Sequence, residues 1–127
     1  MADILVIEDN LENMLMMKRW LGSMNCQTRE ALTGTAGLAE AHLNTPSIIL
    51  LDINLPDIDG YQVLSKLKSS EATKKIPVIA ITSNAMHGDE EKAKKAGFDD
   101  YMAKPVNFSS LISKMSSLGV YVSYSAA

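Results

Sequence analysis

The chain has 127 residues, about the size of one ordinary domain, and 46% of them are hydrophobic, as in a protein with one apolar core. The formal net charge of −3 provides no general attraction to nucleic acid or to an anionic membrane, so we expect neither as a partner. The single cysteine, Cys26, excludes an intramolecular disulfide, and no apolar run approaches the roughly 20 residues of a membrane helix, so we expect a cytoplasmic protein.

The first half of the chain alternates between strand and helix patterns. The apolar run at residues 4–7 has no polar alternation, which is typical of a strand covered on both faces. Apolar residues then recur at helical spacing, and we expect them to form the buried face of a helix. They are Met16, Met17, Trp20, Leu21 and Met24. Residues 26–30 have the mixed composition of an edge strand, and the alanine-rich residues 35–43 predict a second helix.

The second half continues this alternation. Three further apolar runs predict strands at residues 48–51, 78–81 and 101–103. Between them lie a helix with an apolar stripe of Val63, Leu64 and Leu67, and a charged helix over residues 86–96 that ends at Gly97. Asn107 is a suitable N-cap for the last helix, which has its own apolar stripe.

Strand and helix therefore alternate five times. This alternation predicts an α/β protein. Because crossovers between parallel strands are right-handed, we expect a doubly wound parallel sheet with helices on both faces. We place this single domain at residues 1–118, because the tail at residues 119–127 matches no further element.

Polar side chains that can bind ligands or react stand at the carboxyl ends of the predicted strands, where ligands bind in such sheets. Glu8 and Asp9 follow the first strand, and Asp52 ends the third. Thr82 ends the fourth strand and Lys104 the fifth. Three carboxylates, a hydroxyl and an ammonium group are thus predicted to converge on one edge of the sheet.

Such a cluster favours a bound cation, because three crowded carboxylates repel one another unless one is protonated or a metal neutralises them. Hard carboxylate oxygens suit Mg²⁺. With Mg²⁺ bound, Asp52 would remain a nucleophile for an incoming phosphoryl group. Lys104 and the Thr82 hydroxyl would then hold the other phosphoryl oxygens.

Four motifs that contain these residues resemble the receiver domain of two-component response regulators, over residues 3–118. They are VIEDN at residues 6–10, DINLPDIDG at 52–60, TSNA at 82–85 and YMAKP at 101–105. The first motif together with Asn13, and the charged run at residues 86–91, look like stand-alone DivK-type regulators and receivers of hybrid kinases.

This resemblance implies a flavodoxin-like sheet of five strands in the order 2-1-3-4-5 with five helices. It implies that Asp52 is the phosphoacceptor and that the cofactor is Mg²⁺, held by Glu8, Asp9 and Asp52 and by the backbone carbonyl of Asn54. Glu8 stands where many members carry Asp, and its longer side chain changes how it approaches the metal.

The resemblance also implies that Thr82 and Lys104 contact the phosphoryl group, that Tyr101 is the switch aromatic, and that the bond before Pro105 is cis. The phosphoryl group would come from a histidine kinase or a histidine phosphotransfer protein and would change the contacts with a downstream protein target. The domain would catalyse only its own phosphorylation and dephosphorylation, so we do not expect an enzyme. Tyr101 is alternatively a half-buried aromatic with no further role.

Leu11, Met14 and Leu15 form a predicted docking patch on the first helix. The stripe described above already accounts for the buried face of that helix, so these three residues should be exposed near the active edge. Exposed apolar patches usually mark contact surfaces. In the family, this helix docks the phosphodonor.

Other functional classes fit the residues less well. A haloacid-dehalogenase-type phosphatase needs a second Asp two positions after the nucleophile, where this chain has Asn54. A flavodoxin-like flavin carrier needs a phosphate-binding loop after the first strand, where the acidic residues at 8–9 would repel phosphate. A receiver that works as a phosphorylation-independent adaptor remains an alternative.

Overall fold

The computed structural model describes residues 2–83 and 86–122. Strands and helices alternate along the chain as β1 (Asp3–Ile7), α1 (Leu11–Ser23), β2 (Gln27–Ala31), α2 (Gly34–Leu43), β3 (Ile48–Asp52), α3 (Gly60–Lys68), β4 (Val78–Thr82), α4 (Asp89–Ala96), β5 (Asp100–Ala103) and α5 (Phe108–Ser117). The five strands form one parallel sheet in the order β2-β1-β3-β4-β5. The predicted fold class and strand order are therefore confirmed.

The sheet is covered on both faces, which explains the continuous apolar strands. Successive side chains of β1 point to opposite faces, so Ile4 and Val6 pack in the layer with α1 and α5. Leu5 and Ile7 pack in the layer with α2, α3 and α4. The same alternation holds in β3 and β4, so both layers bury large apolar side chains and neither face of the central strands meets water.

Most element boundaries agree with the sequence prediction, and α4 is the exception. This helix begins at Asp89, three residues after the predicted start at 86. Gly88 has a left-handed backbone with φ of 88°, which interrupts the helix there. At the other end, Gly97 is the predicted left-handed cap with φ of 117°, and Asn107 caps α5 by accepting the Ser110 N–H.

Helix α1 is rotated differently from the sequence prediction. Met14 is 2% exposed and packs in the core, so its assignment to an exposed patch was wrong. Met16, predicted to be buried, is 50% exposed. The buried face is formed by Met14, Met17 and Leu21, which recur at intervals of three and four residues. Both methionines are apolar, so the sequence pattern alone did not distinguish the two rotations.

The segment after α5 continues the core for a short distance. Val120 is 7% exposed, and its N–H donates to the Met115 carbonyl over 2.9 Å. Residues 119–122 belong to no helix or strand, and residues 123–127 of the predicted tail lie outside the described residues. Among the described helices, none is both long and apolar enough to cross a membrane.

The rotation of α1 predicts a large loss of stability for one substitution and almost none for its neighbour. Met14→Ala should lower the free energy of unfolding by roughly 2–5 kcal/mol, because it leaves a cavity in a packed core. Leu15→Ala should change it by no more than about 0.5 kcal/mol, because the side chain is exposed. Urea denaturation of both variants measures the difference, and equal losses would contradict this rotation of the helix.

Candidate functional site

Backbone hydrogen bonds between β3, β4 and β5 align the carboxyl ends of these strands at one edge of the sheet. Asp52 lies beside Ile81 in the β3–β4 register, and Thr82 beside Ala103 in the β4–β5 register. Beyond the strands, the Lys104 N–H donates to the Thr82 carbonyl over 2.8 Å. The parallel arrangement therefore brings Asp52, Thr82 and Lys104, which are distant in the sequence, to one edge of the sheet.

Lys104 links two buried carboxylates at this edge. Its Nζ lies 2.6 Å from Glu8 Oε1 and 3.0 Å from Asp52 Oδ2. Glu8 is 5% exposed and Asp52 is 4% exposed. Buried charges are tolerated only when they are paired and hydrogen-bonded, and the ammonium group supplies that pairing to both acids at once.

Asp9 completes an acidic cluster with Glu8 and Asp52. One carboxylate oxygen from each residue lies within 4.8 Å of the others, and the Asp9 side chain is exposed to solvent. Three ionised carboxylates face the single ammonium group of Lys104, which leaves two negative charges of the cluster unbalanced. Oxygen ligands at this spacing, open to water on one side, fit a hard divalent cation such as Mg²⁺.

The electrostatics of the cluster follow from burial. Removal from water raises the pKa of the Glu8 carboxyl, and the hydrogen bond from Lys104 only partly opposes this rise. For Lys104, burial lowers the pKa, but the hydrogen bonds to Glu8 and Asp52 outweigh it and raise the pKa above its ordinary value. Lys104 is therefore charged at neutral pH.

Asn54 orients the groups on either side of it. Its backbone N–H donates to Asp52 Oδ1 over 2.8 Å, and its side-chain Oδ1 accepts the Thr82 hydroxyl over 3.1 Å. The sequence prediction assigned only the backbone carbonyl of Asn54 to the site. The bond from the Asn54 N–H to Asp52 could have been predicted from the sequence. The side chain of an Asp in a turn often accepts the N–H of the residue two positions further along.

Asp57, in the loop that follows Asp52, makes contacts that the sequence did not predict. Its carboxylate accepts the Gly34 and Thr35 N–H groups, each over 2.9 Å, and the Thr35 hydroxyl over 2.6 Å. These bonds, from the Thr35 hydroxyl above all, hold the pKa of Asp57 well below its usual range. In the sequence, Asp57 is part of an apparent turn, and its partner helix is more than 20 residues away.

Tyr101 is buried. The residue is 7% exposed and packs in the core layer with α3 and α4, deeper than the half-buried position of the alternative interpretation. The hydroxyl has no hydrogen-bond partner among the described residues, and burial raises its pKa. The Lys104–Pro105 bond is cis, as predicted. Asn84 and Ala85, which follow Ser83 in the sequence, lie outside the described residues.

The predicted docking patch is exposed only in part. Leu11 is 68% exposed and Leu15 is 52% exposed, as predicted, whereas Met14 is buried. Met16 takes its place on the surface and borders a groove beside Trp20, whose ring stacks on Phe108 with centroids 4.3 Å apart. The exposed apolar surface therefore extends from α1 towards the start of α5.

Comparison with known proteins agrees with this geometry. The family model for the response regulator receiver domain matches residues 4–116. The polar-differentiation response regulator DivK of Brucella ovis is 36% identical over 104 residues, which are 82% of this chain and 85% of that protein. DivK of Brucella anthropi is 35% identical over the same length.

Solved structures show the same likeness. The receiver domain of the sensor histidine kinase PA1611 from Pseudomonas aeruginosa, solved with a magnesium ion in its active site cleft, is 31% identical with a TM-score of 0.84, covering 93% of this chain and 98% of its own. A response regulator from Chloroflexus aurantiacus reaches a TM-score of 0.86 at 25% identity, covering 92% and 96%. The fold and site define a two-component signalling domain. The chain belongs to the response regulator receiver domain family.

The raised pKa of Glu8 predicts a pH-dependent effect of its substitution. A carboxyl with a raised pKa favours folding below its ordinary value of 4.5 and loses that contribution as the pH rises through the raised pKa. With a chelator present to remove metal, Glu8→Gln should therefore have a higher free energy of unfolding than the wild type at about pH 7. The two proteins should differ little at about pH 4.

Urea denaturation at the two pH values measures this effect. Glu12→Gln is the matched control, because it removes the same charge from an exposed position on the neighbouring helix. A Glu8→Gln variant that is less stable than the wild type at neutral pH would show that the pair with Lys104 outweighs the cost of burying Glu8.

Proposed function

We propose that this domain accepts a phosphoryl group on Asp52 in a Mg²⁺-dependent reaction, with a histidine kinase or a histidine phosphotransfer protein as donor. The observation that carries the proposal is the contact of 3.0 Å between Lys104 Nζ and Asp52 Oδ2 inside the acidic cluster. This cluster combines a buried nucleophilic carboxylate, a fixed cation and a set of oxygen ligands, which are the groups that phosphoryl transfer requires.

Glu8, Asp9, Asp52 and the backbone carbonyl of Asn54 would hold the metal. The magnesium ion in the active site cleft of the PA1611 receiver domain supports this assignment. When bound, Mg²⁺ supplies positive charge that offsets the acidic cluster and the oxygens of the phosphoryl group. The buried position of Glu8, and its bond to the Asn10 N–H over 3.1 Å, preset its carboxylate within the cluster.

Side chains and a backbone amide of the chain would orient the nucleophile and stabilise the phosphoryl group. The Asn54 N–H and Lys104 hold the two oxygens of Asp52, one each, so that the carboxylate is oriented before the donor arrives. An Asp52 oxygen forms a bond to phosphorus while the bond from phosphorus to the donor's imidazole nitrogen breaks, and the imidazole leaves with its electron pair. Lys104 and Thr82 then stabilise the phosphoryl oxygens.

Two surfaces would connect this chemistry to other proteins. Leu11, Leu15 and Met16 form an exposed apolar surface on α1 beside the site, which suits docking of the donor.

On the opposite side of the site, Thr82 and the buried Tyr101 lie on neighbouring strands that lead to α4 and α5. A phosphoryl group would draw Thr82 away from Asn54, and the rearrangement would change the contacts with a downstream protein. The domain itself would turn over no other substrate.

Removal of the nucleophile tests the acceptor. Asp52→Asn should abolish the phosphoryl mass increase that acetyl phosphate and Mg²⁺ produce in the wild type, because the amide is not a nucleophile. Asp59→Asn is the control, since Asn caps a helix as well as Asp does and the labelling should persist. Intact-protein mass spectrometry measures both, and labelling of Asp52→Asn at the wild-type level would show another acceptor. A wild type that takes no label would favour the adaptor alternative.

Metal binding is tested separately by calorimetry. Mg²⁺ should bind the wild type, and Asp9→Ala should weaken binding by about 10- to 100-fold, as loss of a group at a metal site commonly does. Affinity should fall as the pH is lowered, because the carboxylates must be ionised to bind the cation. Glu12→Ala serves as the control for loss of a nearby exposed carboxylate. Equal affinities of Asp9→Ala and the wild type would exclude this site.

A substitution on the docking surface should change the rate of phosphorylation by a protein donor but not by a small-molecule donor. Leu15→Asp should slow phosphotransfer from a cognate histidine donor by about tenfold or more, because a charge is placed in an apolar contact. Phosphorylation by acetyl phosphate should be unchanged, since the small donor makes no such contact. Leu43→Asp is the control, because Leu43 is 80% exposed at the far end of α2. Equal slowing with both donors would place the defect in the site instead.

A further inference from the structure

The loop between β3 and α3, residues 53–59, begins at the phosphoacceptor site. Its Asn54 N–H donates to Asp52 Oδ1, and its Asn54 side chain accepts the Thr82 hydroxyl. The position of Asn54 thus sets the orientation of the carboxylate and of the threonine together. Any contact that holds this loop in place also acts on the site.

Asp57 fastens the far part of the loop to α2. Its Oδ1 accepts the Gly34 N–H, and its Oδ2 accepts both the N–H and the hydroxyl of Thr35. The first amides of a helix have no partner within the helix, and bonds from them to an ionised carboxylate are charge-assisted. The contacts are separated by 22 and 23 positions in the chain, so they join two segments that local structure alone would leave apart.

Packing next to Asp57 reinforces this attachment. Ile58 lies directly over Gly34, where an added Cβ would come within 2.6 Å of Ile58 Cγ1. The absence of a side chain at position 34 therefore allows the loop to approach the start of α2 closely. Asp59, by contrast, caps α3 through bonds with Gln62 only three residues away, so it does not link the loop to α2.

We propose that Asp57 is a positioning residue for the phosphoacceptor site. By holding the loop against α2, it holds Asn54 against Asp52, together with the Asn54 carbonyl that would face the metal. This inference rests on the proposed function of the site. Asp57 is exposed and its carboxylate accepts hydrogen bonds from α2, so it acts through Asn54 and not by direct contact with the acidic cluster.

Two substitutions in the same loop separate this role from a simple change of charge. Asp57→Asn places an amide group against the N–H donors of α2 and weakens the attachment. Asp59→Asn removes the same charge from the same loop but retains a good N-cap. Calorimetry should show a Mg²⁺ dissociation constant that rises several-fold, up to about tenfold, in Asp57→Asn and is unchanged in Asp59→Asn.

The rate of phosphorylation by acetyl phosphate provides a second measurement. Asp57→Asn should be slow at low Mg²⁺ and should recover the wild-type rate at saturating Mg²⁺, because the ligands are intact and only their positioning is lost. Equal weakening of Mg²⁺ binding by the two variants would assign the effect to charge and overturn the proposal. Unchanged Mg²⁺ binding in Asp57→Asn would overturn it as well.

Amide hydrogen exchange in metal-free protein tests the positioning without phosphorylation. The Asn54 amide should exchange faster in Asp57→Asn than in the wild type and in Asp59→Asn, and equal exchange would overturn the proposal. Thr35→Val, which removes only the hydroxyl contact, should give a smaller change in the same direction and serves if Asp57→Asn does not fold. A wild type without Mg²⁺ binding would instead refute the proposed function, and the exchange result would still stand.

Discussion

The interaction on which the site depends is the double contact of Lys104 with Glu8 and Asp52. Both acids are buried, and a buried carboxylate without a partner costs several kcal/mol of stability. Lys104 reaches both because β1, β3 and β5 all end at the same edge of a parallel sheet. The three charges come from residues up to 96 positions apart in the chain, so the sheet must be assembled before they can meet.

Lys104 balances only part of the negative charge, since Asp9 adds a third carboxylate to the cluster. The cation of the proposed reaction would offset the remaining negative charge. Apolar layers cover both faces of the sheet, and the Thr82 hydroxyl donates to Asn54 at its edge.

The loop that follows Asp52 connects the site with the helices. One end of it holds the Asp52 carboxylate through Asn54, and the other end is bonded to α2 through Asp57. The exposed apolar surface on α1 lies on the opposite face of the sheet from α2 and borders the start of α5. Under the proposed role of Asp57, the orientation of the Asp52 carboxylate would depend on helical contacts as well as on the strands.

Several features could be predicted from the sequence because they depend on neighbouring residues. An acidic residue directly after four apolar ones indicates the end of a buried strand, which is how Asp52 was found. Asn107 and Gly97 were predicted as helix ends for similarly local reasons. The strand order came from the resemblance of the motifs to the receiver family, not from the hydrophobic pattern.

The sequence by itself determined the alternation of strands and helices, the polar residues at the strand ends and the sign of their charges, because each of these is set by composition and short-range spacing. Only the tertiary structure decided the rotation of α1, since Met14 and Met16 are equally apolar and the packing of the core selects between them. It alone decided that Asp57 bonds to α2, because that bond joins segments whose approach depends on the whole sheet and on the space above Gly34.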